Sequence, residues 1–259
     1  MKWDPAKYVQ FGDYRDRPYF DLTARVLADA PRHVVDLGCG PGNLTATLAE
    51  RWPTATVTGL DSSAEMLARS AVLTDQLPNL SFGQADITDW VPSDETDIVV
   101  TNAALQWVPG HRDLLAAWLT ALKPGAWFAL QVPGNFHSPS HTLMRGLAES
   151  DEWADRLAGV LRHDDVVGEP GDYLDIMLDA GCDADAWETT YSQLLPGPNP
   201  VLEWVRGAGL RPVLAALSAG DARIFEAEYA ARLTEAYPPG PHGTVFPFRR
   251  IFAVARKRE

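Results

Sequence analysis

Residues 33–132 repeat one rhythm: a short apolar run, a turn, then a stretch with apolar residues at helical spacing. No other feature constrains the fold as strongly. A strand that returns through a helix to a parallel neighbour does so by a right-handed crossover, and repeated crossovers cover both faces of the sheet with helices. Segments 33–37, 55–60, 80–85, 97–101 and 126–132 read as strands. Segment 43–52 reads as a helix stopped by Pro53, and Ser62 with Glu65 forms a capping-box signature for the next helix. Leu114, Leu115, Trp118, Leu119 and Leu122 mark another helix, ended by Lys123-Pro124-Gly125. Later, 171–180 reads as a helix, 184–194 as a strand and 248–255 as a last strand. Between those two strands lies a helical insertion, 196–241, with Trp204, Leu210, Leu214, Phe225 and Tyr229, and 135–169 could serve similarly. Upstream, Pro18 introduces a helix over 19–27, with Leu22, Val26 and Leu27 on one face. No repeat, low-complexity tract or Gly/Ser linker divides the chain. The expectation is one domain over 1–259, with an N-terminal cap (1–30), a core (31–134) and the insertion.

The sharpest local signal is Val34-Val35-Asp36-Leu37-Gly38-Cys39-Gly40-Pro41-Gly42-Asn43, a strand, a glycine turn and a helix start. Glycines let the backbone turn tightly and approach a ligand where a Cβ would collide. A dinucleotide fingerprint, G-x-G-x-x-G, would need glycine at position 43, which is Asn43. The observed G-x-G-x-G turn, preceded by Asp36, looks like the S-adenosylmethionine loop of class I methyltransferases. Asp61 ends the next strand, where a carboxylate can accept hydrogen bonds from both ribose hydroxyls; a dehydrogenase uses the same device, and a plain helix N-terminal charge is the third reading. Asp86 and Ile87 follow the third strand, suited to an adenine amine and ring, while Met66 lines either the other adenine face or the core. Asp86 also reads as an ordinary loop residue. Asn102 to Trp107 follows the fourth strand and falls near a methyl donor in such a fold. It lacks the Asn-Pro-Pro-Tyr or Asp-Pro-Pro-Tyr typical of enzymes that methylate nucleic-acid amines.

Charge narrows the partners. Lys and Arg number 22 against 35 Asp and Glu, a formal net charge of −13. Nucleic-acid binding calls for a basic surface that displaces counterions from phosphates, so nucleic acid is not expected as a substrate. A small-molecule substrate is expected, with no membrane association and no protein partner. The six histidines are scattered, no metal-ligand cluster emerges, and no G-x-S-x-G nucleophile motif occurs. Two cysteines, Cys39 and Cys182, suggest no disulfide framework. Met1-Lys2-Trp3-Asp4-Pro5 is not expected to be a signal peptide, because no apolar core follows the lysine, and no stretch approaches the roughly 18 apolar residues of a membrane span. A cytoplasmic protein is expected.

The ordered set Trp3-Asp4-Pro5, the glycine loop, Gly59-Leu60-Asp61-Ser62-Ser63, Ala85-Asp86-Ile87, Asn102-Ala103, Leu105-Gln106-Trp107, Gln131-Val132-Pro133-Gly134-Asn135 and Gly209-Leu210-Arg211-Pro212 resembles the trans-aconitate 2-methyltransferase family. Residues 149–167 and 238–247 depart from that family's pattern. The resemblance implies an α/β, Rossmann-like class I methyltransferase. Its seven-stranded, mostly parallel sheet would carry helices on both faces, an N-terminal helical cap and a helical insertion before the last strand. It implies S-adenosyl-L-methionine as cofactor, held by Asp36, Gly38, Gly40, Gly42, Asp61, Ser62, Met66, Asp86, Ile87 and Asn102. The reaction implied is O-methylation of one carboxylate of trans-aconitate, giving a monomethyl ester and S-adenosyl-L-homocysteine. Another small organic acid, a phenol or an amine is the alternative acceptor. A carboxylic acid of pKa about 4 is already ionised at pH 7, so no catalytic base is expected; alignment with the methyl suffices. Charge must then hold the acid, and guanidinium groups pair with carboxylates bidentately. Arg15, Arg17, Arg211, Arg249 and Arg250 are candidates, with Tyr8, Gln106, Trp107, Asn135 and Tyr191 adding hydrogen bonds and shape. Arg211, inside the family-like motif, is the best single choice.

Overall fold

A computed structural model describes residues 12–161, 166–207 and 209–259; Trp3-Asp4-Pro5 and Tyr8 lie outside them. The elements run α1 (Gly12–Thr23), β1 (His33–Leu37), α2 (Asn43–Arg51), β2 (Thr56–Asp61), α3 (Ala64–Thr74), β3 (Leu80–Gln84), β4 (Ile98–Asn102), α4 (His111–Ala121) and β5 (Trp127–Pro133). Then come α5 (Pro139–Ala148), α6 (Ala154–Leu157), α7 (Pro170–Asp179), β6 (Cys182–Leu195), α8 (Pro200–Arg206), α9 (Arg211–Ala216), α10 (Ala219–Ala236) and β7 (Thr244–Lys257).

The strands form one seven-stranded sheet in the order β3-β2-β1-β4-β5-β7-β6. β1 to β5 pair in parallel, Asp36 lying opposite Gly59 on one side and Val100 on the other. Gly125 N donates to Lys257 O at one end and Gly134 N to Arg249 O at the other, so β7 runs antiparallel to β5. The order reverses at β1, and in doubly wound sheets the crevice at such a reversal, outside the strands' carboxyl ends, takes the ligand.

The chain folds as two compact units. The larger comprises Arg15–Val132, Val167–Glu188 and Ile251–Glu259. Its core joins Leu37, Val99, Leu115, Trp118, Phe128, Tyr173 and Ile251, and the Trp118 and Phe128 rings stack at 6.0 Å. The Trp118 indole N–H, which burial would otherwise orphan, donates to Trp90 O at 2.9 Å. The smaller unit takes in Pro133–Val166 and Thr189–Arg250. Its own core gathers Met144, Trp153, Trp204, Phe225, Tyr229, Phe246 and Phe248.

Several boundaries differ from the sequence reading. α1 starts at Gly12, carries Pro18 inside and ends at Thr23, so Val26 packs from the turn beyond it. The cap of α3 is Ser63, whose side chain accepts from Met66 N; Asp61 Oδ1 accepts from Ser63 N and shifts the helix start by one residue. β7 begins at Thr244, not after Pro247. β5 ends level with Arg249, so one side of β7 lacks a β5 partner at Pro247, and a residue without an N–H is tolerated there.

Candidate active site

The larger unit brings the expected cofactor residues to the carboxyl ends of β1 to β4. Gly38, Gly40 and Gly42 all adopt left-handed backbone, φ 76, 57 and 80. A Cβ on Gly38 would stand 2.3 Å from Ala104 Cβ, and one on Gly42 would stand 2.4 Å from Phe82 Cζ. Those two glycines are there for packing. Around Gly40, by contrast, a Cβ would meet nothing within 4 Å among the described residues. The loop's middle glycine therefore borders open space, the position where its missing side chain would leave room for a ligand.

Asp61 ties this loop to the next helix. Its Oδ2 accepts from Gly40 N at 2.9 Å and its Oδ1 from Ser63 N at 2.8 Å. Each carboxylate oxygen has a second acceptor site, so two hydroxyls remain within its capacity. Ser62 is exposed and its carbonyl accepts from Gln84 Nε2; Met66 is buried on α3. Asp86 caps a short 3₁₀ turn, Ile87–Asp89, by accepting from Thr88 N and Thr88 Oγ1. Those two bonds hold its carboxyl below the usual range, and the residue is solvent-exposed. Ile87 Cδ1 lies 3.6 Å from where a Gly38 Cβ would be, which sets it against the loop. Asn102, at the end of β4, has a buried Oδ1 with no hydrogen-bond partner among the described residues.

Asp36 is 2% exposed, and its Oδ2 accepts from Thr45 Oγ1 at 2.6 Å and Tyr19 OH at 3.5 Å. Burial pushes its carboxyl up to about 6, Asp61 adding to the rise while the Thr45 and Tyr19 bonds oppose it. Burial likewise pushes the Cys39 thiol up, with Asp36 and Asp61 assisting, so Cys39 is a packed neutral thiol rather than a nucleophile.

After β4 the chain enters a strained corner. Ala103 has φ 53, uncommon for a residue with a Cβ. It is held by its N–H to Gln131 O at 2.9 Å and by Gln106 Nε2 to its own carbonyl at 2.6 Å. Gln106 is thereby buried in a local bond, while Trp107 is 39% exposed. Arg17 is exposed on α1 and pairs with Asp21 at 3.8 Å. Arg15 sits on the same helix.

The remaining acid-binding candidates belong to the smaller unit. Arg250 is 5% exposed, its guanidinium 4.4 Å from the Phe248 ring centroid. Tyr191 and Asn135 are also buried, and both amide atoms of Asn135 lack a hydrogen-bond partner among the described residues. Arg211 opens α9 and is half-buried; Arg249 is half-buried and gives its carbonyl to Gly134 N. Sequence reasoning passed over Thr45 and Gln193, and it placed Tyr19 and Ala103 only within larger segments, with no role of their own. Of these only Gln193 had a usable signal: period two along β6 places it on the face of Tyr191.

A mixed seven-stranded sheet with a glycine loop after β1 and a carboxylate closing β2 defines the Rossmann-like methyltransferase fold. Residues 11–164 match the family described as a methyltransferase domain. The same fold appears in the solved structure of Haemonchus contortus phosphoethanolamine N-methyltransferase 2 in complex with S-adenosyl-L-methionine. That likeness has a TM-score of 0.56 at 16% identity and covers 94% of this chain and 53% of that one. Much nearer in sequence are the trans-aconitate 2-methyltransferases of Streptomyces avermitilis, 56% identical across 98% of this chain and 97% of its own, and of Rhodococcus jostii, 55% identical across 98% and 99%. The chain belongs to the trans-aconitate 2-methyltransferase family.

Proposed function

We propose that this chain is a cytoplasmic enzyme that transfers the methyl group of S-adenosyl-L-methionine to a carboxylate of trans-aconitate. The products are a monomethyl ester and S-adenosyl-L-homocysteine. The observation that carries the reading is near-full-length identity of 55–56% to relatives bearing that activity in their name. The residues present fit the cofactor. Gly40 borders open space, Asp61 keeps acceptor capacity for a ribose diol, and Asn102 offers an unmet buried acceptor. The two cysteines are buried and unlinked, which suits a reducing compartment. Among the described residues no helix is long and apolar enough to cross a membrane.

When bound, the cofactor supplies an electrophilic methyl group on a sulfonium. The chain's own contribution is binding and orientation. Gly38, Gly40 and Gly42 shape the loop, Asp61 fixes the ribose, Asp86 and Ile87 receive the adenine, and Met66 closes the adenine side. The acceptor carboxylate needs no base because it is ionised well below pH 7. Arg211 and Arg250, with Tyr191 and Asn135, hold an anion. Among the described residues of the smaller unit, the buried polar and charged side chains Asn135, Ser140, Gln193, Thr244 and Arg250 include a cation and no carboxylate. In a chain of net charge −13 that composition favours an anionic ligand.

The test is incubation with S-adenosyl-L-methionine and a panel of di- and tricarboxylates, phenols and amines, with products read by mass. A trans-aconitate monomethyl ester is the expected product. Methylation of a phenol or amine with trans-aconitate untouched refutes the reading.

A further inference from the structure

Gln193 is an anomalous side chain of the smaller unit. It is 1% exposed, and both its Nε2 and its Oε1 are buried without a hydrogen-bond partner among the described residues. A carboxamide taken from water and left unsatisfied costs free energy at both ends. Apolar residues of similar volume would fill such a place without that cost, so a retained buried amide needs a compensating partner.

Its position says what kind. β6 buries alternate residues at its end, Tyr191, Gln193 and Leu195, while Ser192 and Leu194 face outward. The first part of β7 does the same with Thr244, Phe246, Phe248 and Arg250. Leu195, Phe246 and Phe248 belong to one apolar cluster, so the two strands bury the same face of the sheet. That face thus carries a buried guanidinium, a phenol and a carboxamide beside aromatic rings. Asn135 follows Gly134, which is bonded to Arg249 of β7, and it repeats the anomaly with both amide atoms unmet. No buried carboxylate accompanies them in this unit among the described residues.

We infer that Gln193 is an acid-binding residue: its Nε2 donates to a carboxylate oxygen of a polycarboxylate ligand, alongside Asn135 and Arg250. Its Oε1 takes a bond from water carried in with the anion, a common way to complete such an amide. The inference rests on the proposed polycarboxylate reaction and names a residue that reads the acid rather than the cofactor.

Gln193→Met keeps the volume and deletes the amide; Gln193→Glu keeps the shape and places a carboxylate against the anion. The KM for trans-aconitate is expected to rise about tenfold in the first and further in the second, tenfold being the loss of one hydrogen bond to a charged group. The KM for S-adenosyl-L-methionine stays within twofold. The melting temperature of ligand-free Gln193→Met holds or rises, whereas removing an amide bonded within the protein would lower it. If Gln193→Met fails to fold, Gln193→Glu carries the test. Melting shifts with trans-aconitate, citrate and tricarballylate give a readout independent of turnover, and the shift is expected to shrink in both variants. Wild-type esterification of trans-aconitate with KM and melting shifts unchanged in the variants overturns the role of Gln193 and leaves the reaction standing. Wild-type stabilisation by another polycarboxylate, lost in the variants, without trans-aconitate turnover, does the reverse. Neither turnover nor stabilisation in the wild type overturns both.

Discussion

Asp36→Asn isolates the energetic cost of the carboxylate under the glycine loop. The carboxyl is buried and raised from 3.8 to about 6, mainly by desolvation. A rise of that size corresponds to about 3 kcal/mol of destabilisation once the group is ionised. The bonds from Thr45 and Tyr19 are already inside that figure, because both act to lower the value and about 6 is what remains. An asparagine Oδ1 accepts the same two bonds, while its Nδ2 adds a buried donor costing roughly 1–2 kcal/mol if unmet. The ligand-free variant is therefore expected to gain about 1–2 kcal/mol at pH 8, a melting-temperature rise of about 2–8 °C. The pH window follows from the direction of the shift. The native state holds the Asp36 proton more tightly than the unfolded chain, so the stability it contributes is full below pH about 3.8. It is lost as pH rises through about 6. The gain in Asp36→Asn should accordingly be present at pH 8, shrink below pH 6, cross zero near pH 5 and turn into a deficit of about 1 kcal/mol near pH 4, where protonation has removed the Asp36 penalty and the asparagine donor cost remains. Calorimetry of both proteins at several pH values measures it. A difference that does not vary with pH, or a variant less stable than wild type at pH 8, refutes the reasoning.

The glycine loop separates packing from ligand contact. Gly42→Ala places a Cβ 2.4 Å from Phe82 Cζ at φ 80 and should lose about 2–4 kcal/mol of stability, read by urea unfolding. Gly40→Ala meets nothing within 4 Å and should lose only the left-handed backbone cost of about 1–2 kcal/mol, yet weaken S-adenosyl-L-methionine binding at least tenfold by calorimetric titration. Asp61→Ala should weaken that binding about a hundredfold, as two hydroxyl bonds to a charged group are lost. It should also lower the melting temperature, because Gly40 N and Ser63 N lose their acceptor. Arg211→Ala should raise the KM for a polycarboxylate more than that for the cofactor; equal effects would remove Arg211 from the acid site.

The larger unit was the legible part. Strands of five to seven residues alternating with helices produce a period switch that survives reading without neighbours, and the first five strands stand within one residue of where that switch put them. The start of α3 was misplaced by one residue because Ser62 and Ser63 are equivalent as text. The choice between them is made by Asp61, whose carboxylate captures Ser63 N. Likewise the last strand was read from Phe248 rather than Thr244, since the tolerance of Pro247 inside β7 depends on where β5 stops. Both errors come from a tertiary partner overriding a local rule.

The polar groups of the site divide along the same physical line. Asp36 and Asp61 stood out because an acid at the end of an apolar run is conspicuous. Their different tasks were not legible, because only the fold brings Thr45 and Tyr19 to one and the loop amides to the other. Arg17, an obvious cation in the sequence, faces solvent and Asp21. Gln193, an unremarkable amide between Ser192 and Leu194, is sealed from water with neither end satisfied among the described residues. A charge in the sequence reports what a side chain can do. Desolvation decides which side chains must do it, and desolvation is a property of the neighbours. The residues most committed to a ligand are thus those whose polarity the fold has isolated, whatever their formal charge, and a neutral carboxamide outranks an exposed arginine on that criterion.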